Sequence, residues 1–217
     1  MLFRSIKNKI RVIPNFIDMN KYIIQQDLCL IENPIPSKEL IISHVSNFRP
    51  VKNVLNVIKI FNNIQKKLNV RLIMIGEGPE KLKAERMCDD LKISHLVDFL
   101  GNSSQVEKNL CHSDLFLLPS STESFGLAAL EAMASKVAII SSNAGGLPEI
   151  NIDGQTGYIS DFNDIDFMTE KAISILKSKE TLNKFKENAF LKAKDFDIKK
   201  IVPLYEETYL EALNSIK

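Results

Sequence analysis

The stretch DLFLLPSSTESFGLAALEAMASKVAIISS, Asp114–Ser142, decides the fold. DLFLLPS, Asp114–Ser120, is built on a short apolar run and reads as a strand of a sheet covered on both faces. Small polar residues follow, and then Gly126–Ala134, dense in alanine and leucine, reads as a helix. Lys136–Ser142 is a second apolar strand. Strand, helix and strand in so short a span form a βαβ unit with parallel strands.

The same alternation extends in both directions. LIISHV (Leu40–Val45), VRLIMIG (Val70–Gly76) and LVDFLG (Leu96–Gly101) read as earlier strands, and a short sixth falls at Tyr158–Ile159. Helices are expected at about Val51–Leu68, at Glu80–Leu91 behind Pro79, and at Ser104–His112. The expected fold is α/β, a Rossmann-like parallel sheet with helices on both faces. After Asp161 the chain is glycine-free and Lys-rich, a helical C-terminal tail with helices near 164–177, 179–193 and 197–216. Residues 1–39 read as an irregular segment ending in the linker Glu32–Glu39, residues 40–160 as the sheet domain, and 161–217 as the tail.

Composition narrows the function. The chain has 217 residues, 45% hydrophobic and 25% charged, enough for a core without metal or disulfide staples. Lys+Arg 28 against Asp+Glu 27 leaves a net charge of +1, which argues against nucleic acid as a partner. Cys29, Cys88 and Cys111 fit no zinc or redox spacing and read as free thiols; His44, His95 and His112 are scattered. No metal site is expected. No apolar run reaches the ~18–20 residues of a membrane span, and the N-terminus lacks the apolar stretch of a signal peptide. The expectation is a cytoplasmic protein.

In an open parallel sheet, ligands sit outside the carboxyl ends of the strands. The loops there are SNFRPVK, GEGPE, GNSS, PSSTESFG and NAGGLPE. Gly76-Glu77-Gly78 starts like a dinucleotide loop, but Lys81 replaces the third glycine; a tight turn is the alternative. Arg49 and Lys52 could grip a phosphate or be solvated loop cations. The N–H groups of Phe125, Gly126 and Leu127 open a helix and offer an anion site, with Ser124 beside them. Glu123 and Glu131 lie eight positions apart, about two helical turns, so both can border one cleft. The plainer alternative makes Glu123 a helix cap and Glu131 solvated; the apolar neighbours of Glu131 argue against that. Gly145-Gly146 allows either a close ligand or a plain turn.

Taken in order, these motifs resemble a known family. ESFGLAALE (Glu123–Glu131) is similar to the E-x7-E motif of retaining family-4 glycosyltransferases of the GT-B fold. IPNFID (Ile13–Asp18), GEGP, DLFLLPS and the run from NAGGLPE to TGY (Asn143–Tyr158) fit the same family. Ser46–Lys52 resembles the variant found in the N-acetylglucosaminyl L-malate synthases of bacillithiol biosynthesis, with Asn47 where most members have arginine.

The resemblance implies a UDP-sugar as donor substrate, N-acetylglucosamine as its sugar, and a small acceptor such as L-malate. It implies no cofactor and no catalytic metal. Lys52 and the Phe125–Leu127 amides would hold the diphosphate, with Asn47 and Arg49 nearby. Glu131 would hold the ribose, main chain at Gly101 and Asn102 would meet the uracil, and Glu123 would contact the sugar as the catalytic residue. It further implies that the chain is the C-terminal, donor-binding half of the fold. The acceptor-binding N-terminal domain would then be a partner lying outside the chain, and the final helix would leave some apolar surface uncovered. A homo-oligomer is compatible with the sequence. The competing readings are a sugar-nucleotide epimerase and a nucleotide-sugar-binding module without turnover.

Overall fold

The computed structural model describes residues 11–32 and 39–214; the first ten residues, most of the expected linker (33–38) and residues 215–217, where the last expected helix was to end, lie outside them. Helix α1 (Met19–Glu32) comes first, where the sequence reads as irregular. Asp18 caps it by accepting the Asn20 N–H at 3.0 Å. Its buried residues Met19, Tyr22, Gln25 and Cys29 recur every three or four positions, so one face is committed to the core.

The chain then alternates as expected: β1 (Leu40–Val45), α2 (Val54–Gln65), β2 (Val70–Ile75), α3 (Lys81–Asp90), β3 (Val97–Gly101), α4 (Val106–Leu110), β4 (Leu115–Leu118), α5 (Leu127–Ala134), β5 (Ala138–Ser142), α6 (Leu147–Ile150) and β6 (Gly157–Ser160). Helices α7 (Ile165–Leu176), α8 (Lys179–Ala193) and α9 (Ile198–Asn214) form the tail. Helix α2 starts three residues later than its apolar pattern suggests. Pro50–Lys52 forms a 3-10 turn that ends at Asn53, whose left-handed φ of 50° interrupts the helix. Within α9, Ile201 is buried near the start, while Tyr209, Leu210 and Leu213 near the end are exposed.

The six strands among the described residues are all parallel, in the order β3-β2-β1-β4-β5-β6. Alternate residues along each strand serve opposite faces. Leu72, Leu115, Leu117 and Ile140 pack with α2, α3 and α7 on one side. Phe116, Leu118 and Ile139 pack with α1, α5 and part of α8 on the other.

Strand order reverses between β1 and β4, and there the ladder is short: only Ile42–Leu115 and Ser43–Phe116 are paired. Side chains extend it at both ends. Asp114 accepts the Ile41 N–H at 3.0 Å and pairs with Lys186 at 2.9 Å. At the other end the fully buried His44 places Nδ1 2.8 Å from the Leu117 carbonyl and Nε2 2.8 Å from Ser46 Oγ. A carbonyl only accepts, so Nδ1 carries the proton and Nε2 accepts from Ser46. Burial, with the charge of Lys52 adding to it, pushes the imidazole pKa down to about 4, so the ring stays neutral.

Neighbouring loops at the carboxyl edge press on one another through glycine. A Cβ on Gly145 (φ +52°) would sit 1.6 Å from the Glu123 carbonyl oxygen, and one on Gly76 (φ +128°) 1.8 Å from that of Ser46. Both glycine pairs left open by the sequence are therefore places where one loop seats on the next.

Two outcomes are expected. Unfolded His44 takes up a proton near pH 6.5, folded His44 only near 4, so its contribution to stability is complete above 6.5 and is lost as pH falls toward 4. Urea unfolding at several pH values should show a slope of up to about 1.4 kcal/mol per pH unit from this group, absent in His44→Asn; equal slopes would contradict the assignment. Gly145→Ala combines a left-handed backbone with a clash and should cost more than about 1–2 kcal/mol, read by the same unfolding measurement.

Candidate functional site

The β1–β4 reversal places two loops face to face. Lys52, at the end of the 3-10 turn, and Glu123, in the loop after β4, meet there: Nζ lies 2.5 Å from Glu123 Oε2. Their side chains are only 18% and 11% exposed, so each charge depends on the other for solvation. Ser120 Oγ lies 3.4 Å from the same carboxylate oxygen. One backbone bond and one side-chain bond fix the separation of the loops. Ser121 N–H donates to the Val51 carbonyl at 2.8 Å, and Asn53 Nδ2 to that of Pro119 at 2.9 Å.

Helix α5 begins immediately beyond Glu123. Its N-cap is Gly126, in left-handed conformation with φ 95°, and no side chain bonds the exposed end. Glu123 is thus not a helix cap. The first N–H groups of the helix have no intrahelical partner, and the dipole makes that end attractive to an anion. Ser124 and Leu127 are exposed beside it, while Phe125 is buried with its ring edge on Phe196, centroids 5.5 Å apart.

Glu131 lies one turn into α5, and the structure supplies a partner the sequence reading missed. Tyr22 of α1, 5% exposed, donates its phenol to the Glu131 carboxylate. Burial raises the Glu131 pKa; the Tyr22 bond and the charge of Lys21 counter part of that rise, and Glu107 adds to it. Burial also raises the Tyr22 pKa, and the Glu131 charge raises it further. Lys21 bridges to Glu107 of α4 at 3.0 Å, and Gln26 donates to the Ser135 carbonyl at the end of α5. The signal for α1 was its apolar spacing at Met19, Tyr22 and Cys29.

The remaining candidates are more loosely placed. Asn47 and Arg49 are exposed in the β1 loop, and Arg49 has no ion pair among the described residues. Gly101 (φ +68°) accepts the Gly76 N–H at 2.8 Å, which ties the β3 loop to the β2 loop. Asn102 is exposed beside it. They share the carboxyl edge with Lys52 but stand two strands from β1.

The expectation of three free thiols is corrected. Cys29 of α1 and Cys111 at the end of α4 form a disulfide across 82 positions, a separation that no local spacing rule detects. Cys88 is free and buried, and burial pushes its thiol up to about 11.

Comparison with known proteins agrees with this architecture. The chain is 37% identical over 211 residues to the N-acetyl-alpha-D-glucosaminyl L-malate synthase of Bacillus anthracis, covering 96% of this chain and 55% of that protein. The chain spans about half the length of curated relatives such as this one. Its fold matches sucrose-phosphate synthase from Thermosynechococcus elongatus with a TM-score of 0.84 at 20% identity, over 94% of this chain and 53% of that one. It also matches Anabaena Alr3699/HepE, solved in complex with UDP and glucose, with a TM-score of 0.82 at 20% identity, over 93% and 57%. The family model for glycosyl transferases group 1 matches residues 30–192. With the sheet order, the reversal-point loops and a family match over most of its length, the chain belongs to the glycosyl transferases group 1 family.

Proposed function

We propose that the chain is the donor-binding half of a retaining glycosyltransferase that takes a UDP-sugar, with N-acetylglucosamine as the sugar and L-malate as the acceptor. The observation that carries this reading is the meeting of Lys52, Glu123 and the uncapped start of α5 at the strand-order reversal. A mobile cation and a row of free amides suit a diphosphate. The nearby carboxylate suits the sugar hydroxyls. The sugar and acceptor rest on the resemblance to the malate synthases, and the rest of the length of such relatives would bring the acceptor site.

In this reading, the bond between the anomeric carbon and the diphosphate oxygen breaks while the acceptor oxygen approaches the same face. The acceptor proton passes to the departing phosphate oxygen. Lys52 and the amides stabilise the charge that accumulates on the diphosphate. Glu123 steadies the electron-poor sugar, and Glu131, oriented by Tyr22, accepts from the ribose hydroxyls. Lys52 must leave Glu123 to engage the phosphate, so the donor exchanges one ionic partner of the lysine for another.

Calorimetric titration should show UDP binding to the chain alone, with no malate-dependent UDP release from UDP-N-acetylglucosamine. Lys52→Ala should weaken UDP but not uridine, since a charge-assisted bond contributes about 1.5–3 kcal/mol; equal losses would contradict the diphosphate role. In a protein of the relatives' full length the two glutamates should separate. Glu131→Ala should weaken UDP roughly tenfold to hundredfold by leaving donors unmatched. Glu123→Gln should lower turnover steeply while UDP binding barely moves. The reverse pattern would overturn the assignment of roles.

A further inference from the structure

Away from the reversal point, three soft or borderline donors converge from two helices. Cys29 lies on the last turns of α1, and Cys111 and His112 close α4. Cys29 Sγ is 3.3 Å from His112 Nδ1 and 3.7 Å from Nε2, and the Cys29 and Cys111 Cα atoms are 6.2 Å apart. The two sulfurs and an imidazole nitrogen all lie within 4.8 Å of one another. Gln25, buried one turn before Cys29, directs its amide toward Cys111 Sγ at 4.0 Å. A disulfide needs only the two cysteines. The imidazole beside them is an additional donor, and it sits at ligand distance.

We infer that Cys29, Cys111 and His112, once the disulfide is reduced, form a binding site for a thiophilic divalent cation of the zinc class. Tetrahedral coordination with metal–sulfur bonds of about 2.3 Å and metal–nitrogen bonds of about 2.0 Å sets sulfur and nitrogen roughly 3.5 Å apart and two sulfurs roughly 3.8 Å apart. The present sulfur–nitrogen separations bracket the first value. The Cα spacing lets the thiolates swing apart to the second without moving either helix. Two thiolates and an imidazole favour zinc over magnesium or calcium, which prefer oxygen. No fourth Cys, His, Asp or Glu joins the group among the described residues, so water completes the shell. The N–H of Gln25 stabilises the thiolate charge on Cys111. The wide sequence separation explains why spacing rules gave no reason to expect a metal here.

Metal and disulfide are alternative occupants of the same sulfurs. A phosphine reductant supplies two electrons to the S–S bond; water supplies the oxygen that ends on phosphorus and the two protons that end on the sulfurs. The cation then displaces those protons. Either occupant fastens α1 to α4, and Tyr22 lies two helical turns before Cys29 on the same buried face of α1. The inference does not depend on the donor reading, because it concerns residues outside that site.

The test uses the whole chain, oxidised and phosphine-reduced, titrated anaerobically with cobalt(II) and then zinc(II) against a chromophoric chelator. The reduced chain should bind one equivalent of cobalt with thiolate-to-metal charge-transfer bands and a tetrahedral d–d spectrum, and zinc should bleach both. The oxidised chain should bind none. Cys29→Ser and Cys111→Ser should each weaken binding at least about 100-fold and His112→Ala about tenfold or more, while Cys88→Ser should leave it unchanged. Absence of the tetrahedral spectrum in the reduced chain overturns the proposal. So does a spectrum that persists after oxidation, survives either serine variant or follows Cys88. The comparison of oxidised and reduced wild-type chain needs no variant, so a misfolded substitution cannot decide the outcome.

Discussion

The seam between β1 and β4 joins two halves of the sheet through only two paired positions. Everything at the carboxyl edge depends on its being held in place. Asp114 anchors one end, with its carboxylate on the Ile41 N–H and its own N–H on the Ile41 carbonyl at 2.7 Å, and the His44 side chain anchors the other. Neutral His44 can donate to Leu117 and accept from Ser46 at once; a charged ring would donate from both nitrogens and could no longer accept from Ser46, with no solvent to compensate its charge. Ser46 Oγ in turn accepts the Phe48 N–H at 3.2 Å, at the start of the turn that delivers Lys52. The position of the lysine is thus inherited, bond by bond, from a histidine with no access to water.

The glycines play a matching part on the outer loops. Gly145 lies against the backbone of Glu123, and the Gly146 N–H donates to the Ser124 carbonyl at 3.2 Å. The loop after β5 therefore braces the loop after β4 from behind. The carboxylate of Glu123 faces Lys52 from a backbone that is fixed on both sides. A flexible loop could not keep two largely buried charges in register.

Much of this was legible in the sequence, because period and punctuation carry it. Each strand expected from an apolar run is present within a residue or two, and the three tail helices fall where the charged, glycine-free segment placed them. What escaped detection depends on tertiary contact. Helix α1 opens without acidic residues in its first turn, so its local marks were the cap residue Asp18 and its apolar spacing. Whether Gly145 faced a ligand or a neighbouring loop could not be read from glycine itself, which permits both. The apolar surroundings of Glu131 did signal that it needed a partner, and Tyr22, more than a hundred residues earlier, is one.

The link between Cys29 and Cys111 has a mechanical meaning as well. The loop it closes contains β1, β2 and β3, whereas β4, β5 and β6 lie beyond it, so the covalent ring ends at the same seam where strand order reverses. Tension applied at the two chain ends would run through the crosslink and bypass the enclosed strands. Force could peel away the β4-β5-β6 half and the tail helices, but the chain of the β3-β2-β1 half could not be drawn out while the sulfurs stay joined. Oxidation thus divides one sheet into a shielded half and a half that carries the strain.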